Sequence, residues 1–223
     1  PSYGFFSAID FALPFSRSRN LRHFLHWYGQ LHVEYEEKSF AGHSNGTYML
    51  GRALLAVPAV TFDRVYLAGS VLPREFEWSR IVERGQVIRG IHNDQSTNDV
   101  PVGILCAMLR GLGMRDVGTA GVYGFDERAD VFAHRAFDKG HGGALRPAHI
   151  GHIAAFLRSG TQPEARGSLE PGKYFSVASG LAGTASLPLL AVGIYSAVRW
   201  VRSDDDNSRL VAMGTSGAVA WVL

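Results

Sequence analysis

The stretch Lys38-Ser-Phe-Ala-Gly-His-Ser-Asn-Gly-Thr-Tyr-Met-Leu50 places a G-x-S-x-G pattern between a short apolar run and a helix-like run. The pattern, Gly42-His-Ser-Asn-Gly46, is typical of a nucleophile elbow, in which a strand turns sharply into a helix and holds a serine at the apex. A serine here can equally be an ordinary helix N-cap. Because five-residue patterns also arise by chance, the remaining sequence has to decide between the two interpretations.

The runs around this pattern predict strands that alternate with helices. Apolar and β-branched residues predict strands, and i, i+3, i+4 spacing predicts helices. The predicted strands are residues 38–42, 65–72, 87–91 and 131–137, and the predicted helices are residues 18–31, 45–57, 101–112 and 147–157. Strands that alternate with helices indicate βα units, a parallel sheet and the α/β class. We expect one such domain over residues 1–160, a linker over 161–173 and an apolar membrane-associated segment over 174–223.

The composition excludes several classes of protein. The 223 residues are 46% hydrophobic and 19% charged, which suits one sizeable folded domain and argues against a disordered chain. A net charge of +2, without interleaved basic and aromatic residues, gives no indication of nucleic-acid binding. The single cysteine, Cys106, lies in an apolar run and is expected to be an inert core thiol.

Acids follow the third predicted strand, where α/β sheets commonly place functional groups. Asp94 and Asp99 both lie in the stretch His92-Asn-Asp-Gln-Ser-Thr-Asn-Asp-Val-Pro-Val102. Asp99 precedes the proline that can open the next helix, so that its alternative role is a helix N-cap. Asp94 is more typical of a turn residue that bonds its own backbone. Asp99 is the preferred acid of a catalytic site, with Asp94 left open.

One histidine follows the fourth predicted strand in a loop of small residues. His141 lies between glycines, which leave its ring free to reach a serine, although a lone loop histidine is often only a surface residue. His43 is expected to line or pack the site rather than act as base, because adjacent residues on a tight turn point apart. His149 and His152 are spaced i, i+3, but no cysteine or acid cluster joins them, so no metal site is predicted.

These residues supply the parts that acyl transfer needs. Ser44 would be the nucleophile, His141 the base, Asp99 the acid that orients the base, and the backbone N–H of Asn45 an oxyanion donor. Gly42 and Gly46 are expected at the turn because their small size lets the chain turn tightly and lets the helix pack close to the strand. The chemistry requires no cofactor.

The same residues resemble the α/β-hydrolase superfamily. The likeness runs over residues 38–157 and rests on four motifs: Phe40-Ala-Gly-His-Ser-Asn-Gly-Thr-Tyr48, Phe62-Asp-Arg-Val-Tyr-Leu-Ala-Gly-Ser-Val71, Asn98-Asp-Val-Pro-Val102 and Gly140-His-Gly-Gly-Ala-Leu145. The chain order Ser, Asp, His is the order of that superfamily. The superfamily has several strands before its elbow, and a loop there supplies a second oxyanion donor. Only 37 residues precede Lys38, so the resemblance implies the C-terminal portion of the fold.

The C-terminal part of the chain has a different composition. No residue from 174 to 198 is charged, and this length suffices to cross a bilayer. Pro188 is tolerated in transmembrane helices, whereas in a soluble protein it would divide the run into two elements. Residues 210–223 are a second uncharged run. The chain begins at Pro1 with no visible signal peptide, and we expect a fragment or a processed product.

Two functions are compatible with these patterns. The first is a serine hydrolase that forms an acyl-enzyme on Ser44 with a small-molecule or lipid-like carboxylic ester or thioester. The second is a catalytically inactive, membrane-attached interaction protein that keeps the same fold. In either case the apolar segment predicts attachment to a membrane. Without that attachment, a cytoplasmic location is expected.

Overall fold

The computed structural model describes residues 14–31, 35, 37–126, 132–162 and 170–202. Within these ranges the fold contains a four-stranded, all-parallel sheet, which confirms the α/β class. The strands lie in the order of the sequence and are β1 (Ser39–His43), β2 (Phe62–Ala68), β3 (Val87–Ser96) and β4 (Phe132–Phe137). Residues 1–13 and 203–223 lie outside the described residues, and so does the second uncharged run at 210–223.

Helices cover both faces of the sheet. They are α1 (Pro14–Gly29), α2 (Asn45–Ala56), α3 (Trp78–Glu83), α4 (Pro101–Gly111), α5 (Ala120–Tyr123), α6 (Pro147–Ser159) and α7 (Lys173–Arg202). Helix α4 is π-helical over Pro101–Leu105 and α-helical over Cys106–Gly111. A 3₁₀ turn, Gly143–Leu145, precedes α6.

Strand β2 forms the middle of the core because it is buried on both faces. All seven of its residues are buried, as expected for an interior strand of a parallel sheet. Phe62, Val65 and Leu67 pack with the helices α1, α2 and α3. On the opposite face, Tyr66 and Ala68 pack with α6. The sheet is therefore the central layer of three.

Three predicted strand boundaries were wrong by three or more residues, among them the start of β2, which is Phe62 instead of residue 65. Strand β2 ends at Ala68 instead of continuing to residue 72, because Gly69 turns the chain with a φ of +50°. Strand β3 continues to Ser96 instead of ending at residue 91. His92 and Asp94, predicted to lie in a loop, are therefore buried strand residues. Asp94 is not a turn residue bonded to its own backbone.

Asp94 is the centre of a buried polar cluster beneath α6. Arg135 of β4 donates to both carboxylate oxygens, with Nε 3.1 Å from Oδ1 and Nη2 2.7 Å from Oδ2. His92 donates from Nε2 to Oδ1 over 2.8 Å, and the Tyr66 hydroxyl donates to Oδ2. Burial alone would raise the pKa of Asp94, but the hydrogen bonds from His92 and Arg135 hold that pKa below its ordinary value. Since Asp94 and Arg135 are register partners, the ion pair holds β4 in place against β3.

Strand β1 forms one edge of the sheet. It pairs with β2 on one side, and no strand among the described residues pairs with its other side. Ser39 and Ala41 are exposed there, and an uncovered strand edge presents unpaired backbone groups. This edge of the sheet is therefore left without a partner strand in the described part of the chain.

Helix α7 is one continuous helix that runs through Pro188, so the division into two elements is wrong. Residues Lys173–Val198 are long and apolar enough to cross a membrane. The most apolar 18-residue stretch among them has a mean hydropathy of 1.7, and only 11% of that stretch is buried. Such a helix alone is weak support for membrane association, because core helices of soluble proteins also meet this description. Tyr174, Leu181 and Tyr195 are among its exposed side chains.

Small residues let α7 pack closely against α4. Gly103, Ala107 and Gly111 repeat every four residues along α4 and face Ser179 and Gly183 of α7. A Cβ atom at Gly111 would collide with the Gly183 carbonyl oxygen. The Ser179 hydroxyl donates to the Gly103 carbonyl. This spacing of small residues is common where membrane helices pack, although it also occurs elsewhere.

We expect Arg135→Met to lower the free energy of unfolding by about 3–5 kcal/mol, because it leaves the buried Asp94 carboxylate without its cation. The control Arg80→Met removes an exposed i, i+3 pair with Glu77, for which a loss below about 1 kcal/mol is expected. Urea unfolding at pH 7 measures both. The contribution of the Asp94 pair is present above about pH 4 and is lost as the pH falls through the lowered pKa. Equal losses in the two variants would contradict this role of the ion pair.

Candidate active site

Four residues that bear on the candidate chemistry follow the carboxyl ends of the four strands. Ser44 comes directly after β1 and Gly69 directly after β2. Asp99 lies three residues beyond β3, and His141 lies four residues beyond β4. Because all strands are parallel, these positions meet at one edge of the sheet. The structure therefore brings the predicted acid, histidine and serine to the same edge.

Ser44 lies in a strained turn between β1 and α2. Its φ of 53° and ψ of −120° make it the one non-glycine residue with positive φ among the described residues. Such a conformation persists only where surrounding contacts impose it, and it is concentrated at functional sites. Its side chain makes no capping hydrogen bond, so the side-chain N-cap interpretation is wrong. The Ser44 N–H donates to the Ala68 carbonyl over 3.1 Å, which ties the turn to the end of β2.

Thr47 holds this turn closed, and the sequence did not indicate its role. It is fully buried, and both its N–H and its hydroxyl donate to the Ser44 carbonyl, over 2.9 and 2.7 Å. The same hydroxyl oxygen accepts from the Val71 N–H over 3.2 Å. Thr47 thus links the serine turn to the loop that follows β2. A threonine one turn into a helix has no distinctive sequence signal, which is why it was missed.

The two glycines of the pattern differ in their surroundings. A Cβ at Gly42 would lie 2.5 Å from the Phe40 ring and 3.3 Å from the Gly46 backbone, so that small size matters there. A Cβ at Gly46 would meet nothing within 4 Å, so the expectation that its small size is needed was wrong. Asn45 begins α2, and its N–H has no intrahelical acceptor at that position. Its predicted role as an oxyanion donor stays a prediction, because no contact in the structure tests it.

Asp99 uses both carboxylate oxygens and combines the two roles considered for it. Oδ1 accepts the Val102 N–H over 3.0 Å, which is helix capping. Oδ2 lies 2.8 Å from Nδ1 of His141. A carboxylate can only accept, so Nδ1 of His141 carries the proton and Nε2 is left as the basic nitrogen of the neutral ring. Asp94, the other candidate acid, is engaged by Arg135 and His92 instead.

The acid loop and the histidine loop are joined along their length. Thr97 donates its N–H to Phe137, and Asn98 donates its N–H to Lys139, over 2.9 and 3.2 Å. The Asn98 amide also donates to the Asp138 carboxylate. These bonds continue the pairing of β3 and β4 beyond the strands. They bring Asp99 and His141 to the distance at which their side chains bond.

No hydrogen bond joins the Ser44 hydroxyl to the His141 ring within the described part of the chain. The loop of His141 nevertheless contacts the strand that leads into Ser44, because the ring of His43 lies 4.5 Å from the ring of His141, centroid to centroid. His43 thus packs at the site, as predicted. In unliganded sites the bond between nucleophile and base is often long and forms only when substrate binds.

Gly69 is a further residue of the site that the sequence did not single out. A Cβ there would lie 3.1 Å from two atoms of the His141 ring and 3.3 Å from Asp99 Oδ2. Its left-handed φ also favours glycine. Gly69 therefore provides the space in which the Asp99–His141 pair sits. Its position directly after a strand was the available signal, but the predicted strand ran past it.

The remaining candidate residues are one buried cysteine and two histidines. Cys106 is buried, and burial raises the pKa of its thiol to about 12, as expected for a core thiol. His149 packs its ring against Phe137, with centroids 4.7 Å apart, whereas His152 is exposed on α6. No cluster of three or more potential metal ligands occurs among the described residues.

Comparisons with known proteins found no relative of this chain. No protein-family model matches it, and no curated protein or solved structure is significantly similar to it.

The glycines provide a matched test of the site. We expect Gly69→Ala to lower the free energy of unfolding by about 1–2 kcal/mol, because alanine at a left-handed φ is strained. We also expect it to weaken the hydrogen bond between Asp99 and His141. The control Gly46→Ala should be neutral or stabilising by up to about 1 kcal/mol, since it lies in a helix with open space. Urea unfolding measures stability, and the NMR signal of the His141 Nδ1 proton reports the hydrogen bond. An unchanged Nδ1 signal in Gly69→Ala would show that a side chain at residue 69 does not disturb the Asp99–His141 pair.

Proposed function

We propose that this protein is a serine hydrolase of the α/β-hydrolase type that acts on carboxylic esters or thioesters. One observation carries the proposal: the strained turn at Ser44 lies at the same sheet edge as the hydrogen-bonded pair of Asp99 and His141. A strained serine turn also occurs in proteins without acyl-transfer chemistry, and so does an acid–histidine pair. Their coincidence at the carboxyl edge of a parallel sheet is the arrangement that acyl transfer uses.

The proposed reaction begins with attack on the substrate carbonyl. The Ser44 Oγ forms a bond to the carbonyl carbon while Nε2 of His141 takes the hydroxyl proton. The resulting oxyanion accepts a hydrogen bond from the Asn45 N–H at the start of α2. His141 then returns the proton to the leaving alcohol or thiol as the acyl-enzyme forms. Water, deprotonated by His141, releases the acid and restores Ser44.

Asp99 supports this sequence through the other nitrogen of the ring. By accepting from Nδ1, its carboxylate fixes the tautomer with a basic Nε2 and stabilises the imidazolium that forms during attack. Its burial strengthens this interaction, because little water competes for the carboxylate. The same group caps α4, so the acid is held by the fold before any substrate arrives.

We also propose that α7 attaches the protein to a membrane. It has no charged residue from Tyr174 to Val198, and several large apolar side chains on it are exposed. Its N-terminal half packs along α4, from Phe175 at Gly103, one turn after Asp99, to Ser186 at Gly111. Attachment would therefore keep the candidate site close to the membrane surface, where a lipid-like ester is available.

The alternative is a membrane-attached protein that keeps this fold without catalysis. The absence of a Ser44–His141 hydrogen bond among the described residues and the open edge of β1 favour it, because the edge lies beside the serine turn. The strained backbone of Ser44 opposes it, because such a conformation costs stability that a purely structural turn would avoid.

A fluorophosphonate probe separates the two functions. We expect the probe to label the wild-type chain and to leave Ser44→Ala unlabelled, because only an activated serine reacts at a useful rate. Ester hydrolysis should fall by several powers of ten in Ser44→Ala and His141→Ala. The control Ser39→Ala changes an exposed serine of β1, the strand that precedes Ser44, and should keep both labelling and turnover.

A folded wild-type chain that no fluorophosphonate labels would rule out the hydrolase and favour the interaction protein. Labelling that persists in Ser44→Ala would place the reactive residue elsewhere. Thermal unfolding of each variant shows whether a loss of labelling reflects chemistry or a loss of the fold.

Vesicle flotation tests the membrane proposal. We expect the wild-type chain to float with phosphatidylcholine vesicles and the double variant Leu181→Lys, Ile194→Lys to float much less. A lysine at the centre of a spanning helix costs about 2.5–3.5 kcal/mol. The control Ile150→Lys changes an exposed isoleucine of α6 and should leave flotation unchanged. A wild-type chain that is monodisperse without detergent and does not float would contradict membrane attachment.

A further inference from the structure

His43 makes two contacts with the histidine of the candidate site. Its Nε2 lies 2.9 Å from the carbonyl oxygen of His141. A carbonyl oxygen can only accept, so the His43 Nε2 carries a proton and donates it. The two rings also pack at 4.5 Å between centroids, with planes tilted by 50°. His43 therefore contacts both the main chain and the side chain of the same residue.

The loop that carries His141 is paired with the acid loop as far as Lys139 and is closed by a hydrogen bond from the Gly143 N–H to the Gly140 carbonyl over 2.8 Å. Among the described residues, the bond from His43 is the one hydrogen bond to the main chain of His141 itself. A Cβ at Gly142 would meet nothing within 4 Å, and one at Gly140 would approach only the Asn98 carbonyl, at 3.9 Å. The His141 side chain is held at Nδ1 by Asp99. That bond alone would let the ring pivot about Nδ1 as the loop moves. A second bond, on the main chain of the same residue, removes this freedom.

The position of His43 makes this second bond specific to the serine. His43 is the last residue of β1, and its register partner is Ala68, next to Gly69. Its backbone is therefore held by the sheet, and the next residue is Ser44. A bond from this side chain to the histidine loop links the loop directly to the serine turn.

The protonation state of His43 is compatible with its packing against His141. Burial is the largest influence and lowers the pKa of the His43 imidazole, while its hydrogen bond to the His141 carbonyl opposes the shift. The net pKa lies below the ordinary value, so that His43 is neutral at pH 7. A neutral ring can pack against His141 without repelling the imidazolium that the proposed reaction forms there.

We propose that His43 is a positioning residue, whose Nε2–H holds the main chain of His141 so that the basic ring stays over the Ser44 turn. His43 takes no proton during the reaction. This inference rests on the proposed hydrolase function, in which Ser44 and His141 act together. It assigns a role to the residue before the nucleophile that the G-x-S-x-G pattern leaves unspecified.

Two substitutions separate the hydrogen bond from the ring packing. His43→Gln can keep an amide N–H donor for the His141 carbonyl, whereas His43→Phe keeps a ring without a donor. We expect kcat for a soluble ester to stay within about 3-fold in His43→Gln and to fall by about 10- to 100-fold in His43→Phe, with KM nearly unchanged, because misplacing a catalytic group by about 1 Å costs up to 100-fold. Fluorophosphonate labelling of Ser44 should slow in the same order.

The opposite results overturn the inference. If His43→Phe retains wild-type kcat, or if both variants lose equal activity at wild-type thermal stability, the hydrogen bond is not what positions His141. ¹⁵N NMR of the wild-type chain gives a measurement that needs neither activity nor a variant. It should show His43 neutral at pH 7 with the proton on Nε2, and a proton on Nδ1 instead would overturn the inference. A wild-type chain with the expected tautomer but no labelling would refute the hydrolase proposal, and with it a catalytic role for the bond.

Discussion

The carboxylate of Asp99 is the contact on which the arrangement at the strand ends depends. A fully buried carboxylate must find hydrogen-bond donors, and Asp99 finds one at each oxygen, the Val102 N–H and the His141 ring. One bond fixes the start of α4, and the other brings in the loop after β4. Because α7 packs on Gly103, one turn further along α4, the apolar helix is also connected to this carboxylate. Loss of Asp99 would therefore affect the helix start and the histidine together.

The meeting of Asp99 and His141 depends in turn on the register of β3 and β4. Asp94 and Arg135 are register partners and form a buried ion pair beneath α6. A one-residue slip would separate these charges and bury each without a partner, which costs several kcal/mol. With this register, Ser96 pairs with Phe137, and the acid and histidine loops leave the sheet side by side. The buried ion pair of Asp94 and Arg135 thus fixes how the loops that carry Asp99 and His141 meet at the carboxyl edge of the sheet.

The local sequence predicted the regular elements well and the site only in part. Periodicity indicated α2 and α6 and the existence of all four strands, because these signals come from residues that are neighbours in sequence. It missed the length of β3, since Asp94 looks like a loop residue until Arg135, 41 positions later, neutralises its charge, and His92 is buried beside it through a bond to Asp94. It missed Thr47 and Gly69 for the same reason, because their partners lie on other strands and loops.

By itself the sequence determined the α/β class, the glycine-flanked serine turn, the order of serine, acid and histidine, and an uncharged helix of membrane-spanning length. These properties follow from composition, spacing and chain order. Only the tertiary structure decided which acid meets His141, that Ser44 adopts a strained backbone, and that His43 bonds to the histidine loop. The physical reason is that burial and register assign hydrogen-bond partners across the sheet. Asp94 and Asp99 differ little in local sequence, and the partners that each one meets in the fold give them different roles.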